Sequence, residues 1–98
     1  MRNRVGKRWK QIGGRLMQID SGPFYYVWGV NRFHQIWCRI GITWKRPQGR
    51  GWRRVPGGLK YVSIGEYIAW GVNRHDSIYV RYGMLPQNPQ GRLSGFFY

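Results

Sequence analysis

Residues 27–41, VWGVNRFHQIWCRIG, return at residues 69–83 as AWGVNRHDSIYVRYG, with Trp, Gly, Val, Asn, Arg, Ile, Arg and Gly in the same order. Working outward enlarges the unit. WKQIGGRLMQIDSG from Trp9 matches WRRVPGGLKYVSIG from Trp52 at an offset of 43, whereas the two WGVNR segments match at an offset of 42. A one-residue difference in the loop after Gly22 or Gly65 accounts for the change. A period of roughly 42 residues suits either four-stranded propeller blades or helical repeats, so the local patterning has to choose.

Ile36, Cys38 and Ile40 alternate with Trp37 and Arg39; Ile78, Val80 and Tyr82 alternate with Tyr79 and Arg81. A period of two is that of a strand. The preceding YYVWGV and YIAWGV are β-branched and aromatic, and each leads into a four-residue link, NRFH or NRHD. An Asn at the head of such a link can bond its own backbone, which predicts a hairpin. RLMQI and LKYVSI supply another strand, reached through Gly13-Gly14 or Pro56-Gly57-Gly58, and WKQI and WRRV a short fourth one. Taken alone, Val5, Trp9, Ile12, Leu16 and Ile19 fall at spacings of three and four and would propose a basic amphipathic helix lying on a membrane. Gly13-Gly14 weakens that reading, and the second copy holds Pro56, which a helix interior tolerates poorly.

The resulting map has strands near 9–12, 15–20, 25–30 and 35–40, and again near 52–55, 59–64, 67–72 and 77–82. Residues 43–51, TWKRPQGRG, read as a basic loop, and residues 84–98 as a loop or loose tail. A chain of 98 residues and 11.7 kDa has room for one small domain. Its 17 Lys and Arg against three Asp and Glu give a charge of +14, which favours an anionic partner electrostatically without naming it. Cys38 is the only cysteine, so neither an intrachain disulfide nor a zinc cluster is expected. His34 and His75 stand alone at turns, and no catalytic, phosphate-loop or dinucleotide pattern emerges, so a non-enzymatic protein without a cofactor is expected. No signal peptide and no membrane-spanning run is visible.

The combination of W..[IV].G, WGVN and I[WY].R.G between Trp9 and Gly83 resembles the tectonin-type β-propeller repeat, found in fish-egg lectins, horseshoe-crab lipopolysaccharide-binding lectins and intracellular tectonin-repeat proteins. The resemblance implies an all-β fold, a partial β-propeller of two four-stranded blades. Residues 1–14 would be the outer strand of a preceding blade, 15–55 the first blade, and 59–83 a second blade lacking its own outer strand. Two units cannot close a propeller, so the chain is expected to be a fragment or truncated product, or to self-associate into a closed ring in which Trp9 of one copy completes the second blade of the next.

The resemblance also implies a carbohydrate- or lipopolysaccharide-binding, lectin-like role, with an intracellular scaffold touching proteins or anionic membrane as the alternative. Localisation follows the choice: secreted for a lectin parent, cytoplasmic otherwise. Nucleic acid is disfavoured, because the repeat already accounts for the aromatics. At the blade tips Asn31, Arg32, Asn73 and Arg74 are the candidate ligand contacts. Lys45, Arg46, Arg50, Arg53 and Arg54 form the candidate anionic-surface contact, whereas Trp9, Trp28, Trp52 and Trp70 are expected to be structural.

Overall fold

Alternating side chains and paired hairpin turns give seven strands in the computed structural model, which describes residues 8–84. They are β1 (Gln18–Gly22), β2 (Tyr26–Val30), β3 (Gln35–Ile40), β4 (Gly51–Gly58), β5 (Tyr61–Gly65), β6 (Ile68–Val72) and β7 (Ile78–Tyr82). β1-β2-β3-β4 form one antiparallel sheet and β5-β6-β7 a second. Neither sheet closes on itself, and the pair has the form of two propeller blades, all-β as the repeat implies. The described residues contain no α-helix; their one helical turn is a 3-10 turn at Pro23–Tyr25. The expected tail lies outside the described residues beyond Met84, as do residues 1–7.

The one-residue slip in the repeat is visible at the first hairpin. Gly22 pairs with Tyr26 across three residues, whereas Gly65 pairs with Ile68 across two. Tyr25, expected in a strand, therefore sits in the turn at φ 65. The strands expected from 15 and 59 begin later, at Gln18 and Tyr61, because Leu16 and Leu59 first cross the WGVN glycine of their own sheet. A Cβ on Gly29 would lie 2.5 Å from Leu16 Cδ1 and 2.9 Å from the Gln18 carbonyl oxygen; one on Gly71 would lie 2.3 Å from Leu59 Cδ1. The glycine of WGVN thus makes room for the leucine of GRL or GGL. β4 runs on through Pro56, which an edge strand accommodates because the donor that proline lacks is not needed on its open side. Trp9–Ile12 belongs to no strand of the described chain.

The core lies between the sheets. Tyr26, Trp28, Val30, Ile36, Cys38 and Val55 share one face of the first sheet and pack with Leu59, Val62, Ala69 and Met84. β5 is the sheet edge nearest β1, and backbone groups at a buried edge need partners. Gln18 supplies them: its side-chain amide donates to the Val62 carbonyl at 2.7 Å and accepts from the Val62 N–H at 2.9 Å. Asp20 accepts from the Ile64 N–H at 2.7 Å, and the Tyr26 hydroxyl donates to the Met84 carbonyl at 2.9 Å.

Gly29→Ala should lower stability by about 1–3 kcal/mol, the usual cost of overpacking, measured as a shift in the urea midpoint. Gln18→Ala should cost about 1–3 kcal/mol by orphaning two backbone groups of Val62, and Gln18→Glu should not restore it, since a carboxylate cannot donate to the Val62 carbonyl. Burial pushes the Cys38 thiol up to about 11, against the pull of Arg53 and Arg81. Because the folded value is raised, this group's contribution to stability is complete below the unfolded thiol's value of about 8.5 and is lost as pH rises from there toward 11. At pH 8 a thiol reagent should therefore label the native protein no faster than it unfolds; rapid stoichiometric labelling would contradict the burial.

Candidate functional site

The second hairpin of each sheet builds the tips. Asn31 Oδ1 accepts from the N–H groups of Phe33 at 3.0 Å and Gln35 at 2.9 Å, and Asn73 Oδ1 accepts from those of His75 at 2.9 Å and Ser77 at 3.0 Å. The fourth link residue, His34 or Asp76, takes φ 65 or 66, so each link is a three-residue loop ending in a left-handed residue. Side-chain nitrogens of the same amides donate to Gln35 Oε1 at 2.8 Å and to the Tyr79 hydroxyl at 3.3 Å. The two Asn side chains thus define the loops, while Arg32, Phe33, Arg74 and His75 stand exposed at the tips.

All four expected ligand contacts line grooves. One groove of about 390 Å³ lies between the tips of the two sheets, walled by Phe33, His34, Gly58, Asn73, Arg74 and His75. A second, of about 570 Å³, includes Arg15, Asn31, Arg32 and Phe33, which are the positions one repeat earlier than Gly58, Asn73, Arg74 and His75. The two grooves are the same site in successive repeats, and the second has no wall from a preceding tip among the described residues. In the first, the Arg74 guanidinium Nε donates to His75 Nε2 at 3.2 Å. Across the second, Arg32 stacks on Phe33 with its guanidinium carbon 4.8 Å from the ring centroid.

A further pocket of about 330 Å³ adjoins the second groove and is lined by Gly14, Arg15, Leu16, Asn31, Trp37 and Trp52. Its indoles stand on β3 and β4 in cross-strand pairs with arginines: Arg39 lies over Trp52 at 4.9 Å and Arg54 over Trp37 at 5.8 Å. Trp52 is further fixed by donating from its indole to the Gly13 carbonyl at 2.8 Å.

The candidate anionic-surface residues divide between a loop and a strand. Lys45 and Arg46 sit on the β3–β4 loop, Lys45 over Trp44 at 5.4 Å and Arg46 donating to the Gly49 carbonyl at 3.1 Å, while Arg50 follows at the loop's end. Arg53 and Arg54 lie side by side on β4 and so point to opposite faces. Of the four Trp expected to be structural, Trp28 is fully buried, Trp52 is half-buried, Trp70 is half-exposed and Trp9 is fully exposed.

Among the described residues no cluster of His, Cys, Asp or Glu could hold a metal ion, and no helix is long and apolar enough to cross a membrane. Sequence reasoning missed Phe33, Arg15 and Trp37. Phe33 and Arg15 differ in type from their counterparts His75 and Gly58, so repetition does not draw attention to them. Trp37 reads from the sequence as one member of an alternating strand, and its neighbour Trp52 comes from 15 residues away.

Comparison with characterised proteins returns no match. Residues 2–95 match the tectonin domain. That span takes in both WGVN hairpins and the glycines beneath the leucines, and the chain belongs to the tectonin domain family.

Proposed function

We propose that this chain is a non-enzymatic, lectin-like binding module whose repeated tip grooves take glycan, with phosphorylated glycolipid such as lipopolysaccharide as the preferred class. The observation that carries the reading is the recurrence of one groove at the same positions of successive repeats, each pairing an arginine with a neighbouring ring: Arg74 with His75, and Arg32 with Phe33. A ring face suits the apolar face of a sugar, and an exposed guanidinium suits its phosphate or carboxylate. Shallow sites of this kind bind weakly one at a time. Repetition on a rigid frame raises avidity by about 10² to 10⁴. In this reading Asn31 and Asn73 hold the tip in shape through their own hydrogen bonds within each loop.

A second reading, an interaction module on proteins or anionic membrane, is favoured by one loop. Trp44 is largely exposed beside Lys45 and Arg46, and an indole among cations suits the headgroup boundary of an acidic bilayer.

Binding of lipopolysaccharide should be competed by a neutral or amino sugar at physiological salt. Arg74→Ala should raise its Kd about tenfold or more, the effect expected for losing a charge-assisted hydrogen bond of about 1.5–3 kcal/mol. Insensitivity to every sugar, with equal salt-dependent loss for DNA, heparin and acidic vesicles, would reduce the interaction to charge. Vesicle binding lost on Trp44→Ala but kept on Arg74→Ala would favour the membrane reading.

A further inference from the structure

The faces left open at the two ends of the sheet pair are the counterparts of the faces buried between them. At the buried boundary Trp28 and Ile36 of the first sheet, and Val62 of the second, are 0% exposed. In register with Trp28 and Ile36, the second sheet presents Trp70 and Ile78 at 49% and 61% exposure on its far side. In register with Val62, the first sheet presents Ile19 at 56% on its own far side.

The outer edge repeats the mismatch. β4 covers β3, pairing Trp52 with Arg39 and Val55 with Ile36. β7 is the counterpart of β3 and has no outer strand among the described residues. Trp9–Ile12 is the counterpart of Trp52–Val55, joins no strand, and carries a fully exposed indole.

We propose that the chain stacks head to tail with further copies of itself. The Trp70 face of one copy receives the Ile19 face of the next, and the Trp9–Ile12 segment of that next copy adds to β7 as its outer strand. The register follows from β3 and β4: Ile12 falls opposite Ile78 and Trp9 opposite Arg81. The backbone conformation that receives Trp52 recurs one repeat on. Trp52 lies against Gly14 at φ 110 and donates to the Gly13 carbonyl; one repeat on, Gly57 has φ 107 and is preceded by Pro56, the counterpart of Gly13 in the repeat. In chain order Trp9–Ile12 precedes β1 as β4 precedes β5.

Such a contact joins two different faces, so it closes into a ring when the rotation allows. Stacking also walls the half-built groove at Arg15, Asn31 and Arg32, placing His75 and Asp76 of the neighbouring copy where Phe33 and His34 wall the complete one; this consequence rests on the groove reading above, whereas the assembly itself does not.

The boundary between copies is weaker than the one within the chain. Tyr61 and Ser63 stand where Gln18 and Asp20 clamp the neighbouring strand, and each copy carries +14. Assembly is therefore concentration-dependent and strengthened by added salt, opposite in sign to the capture of anions.

Sedimentation velocity of the full chain without ligand, at about 0.15 M and about 0.5 M salt, tests this. The expected result is a discrete species at an integral multiple of 11.7 kDa, favoured at the higher salt. Trp9→Ala and Trp70→Arg should each lower the association constant at least about tenfold with the far-UV circular dichroism unchanged, because both side chains are exposed in the single chain. A monomer at every concentration, or an assembly that either variant leaves unchanged, would overturn the proposal. Either outcome leaves the glycan-binding test at Arg74 standing or falling by itself.

Discussion

A sheet edge pressed against a second sheet must satisfy its backbone without a strand to pair with, and the rest of this structure depends on how β5 does so. A primary amide is the side-chain group that most resembles a peptide unit, carrying one acceptor and donors in a plane. Gln18 therefore stands in for a missing strand residue at Val62, and Asp20 covers the next free N–H at Ile64. With the polar edge accounted for, Trp28, Ile36 and Val62 can be buried against one another, and sheet packing becomes a matter of apolar area.

The tips follow from that packing. Leu16 and Leu59 lie over Gly29 and Gly71, drawing the innermost strand across the hairpin that follows it. Asn31 and Asn73 then set each loop from within, which frees the two residues after them to face outward. Successive tips project from adjacent sheets, so a groove forms between Phe33 of one and Arg74 of the next although neither loop is concave by itself.

Much of the fold was legible because the chain states it twice. Both WGVN hairpins, the period-two strands and the slipped residue after Gly22 follow from comparing the copies. The helical spacing of Trp9, Ile12, Leu16 and Ile19 is a by-product: Leu16 is placed by Gly29, and Ile19 by its strand. The clamp was illegible because it is not repeated; Gln18 and Asp20 answer to Tyr61 and Ser63, so repetition hides the two polar side chains that join the sheets. For the site, the candidate arginines and asparagines do line grooves, but the walls contributed by Phe33 and His34 come from the neighbouring repeat, and alignment of one unit on another cannot show which unit stands beside it.

The passage between the sheets is short and held from both sides. Leu59 donates its N–H to the His34 carbonyl of the first sheet at 3.0 Å, and Lys60 donates to the Val72 carbonyl of the second at 2.8 Å. No residue of that crossing is left to act as a hinge. Together with the Gln18 and Asp20 clamp, these two consecutive residues therefore fix the pitch from one sheet to the next, and with it the curvature of any larger array. Lengthening this joint by a single residue would change the diameter of such an array without altering a side chain on either face.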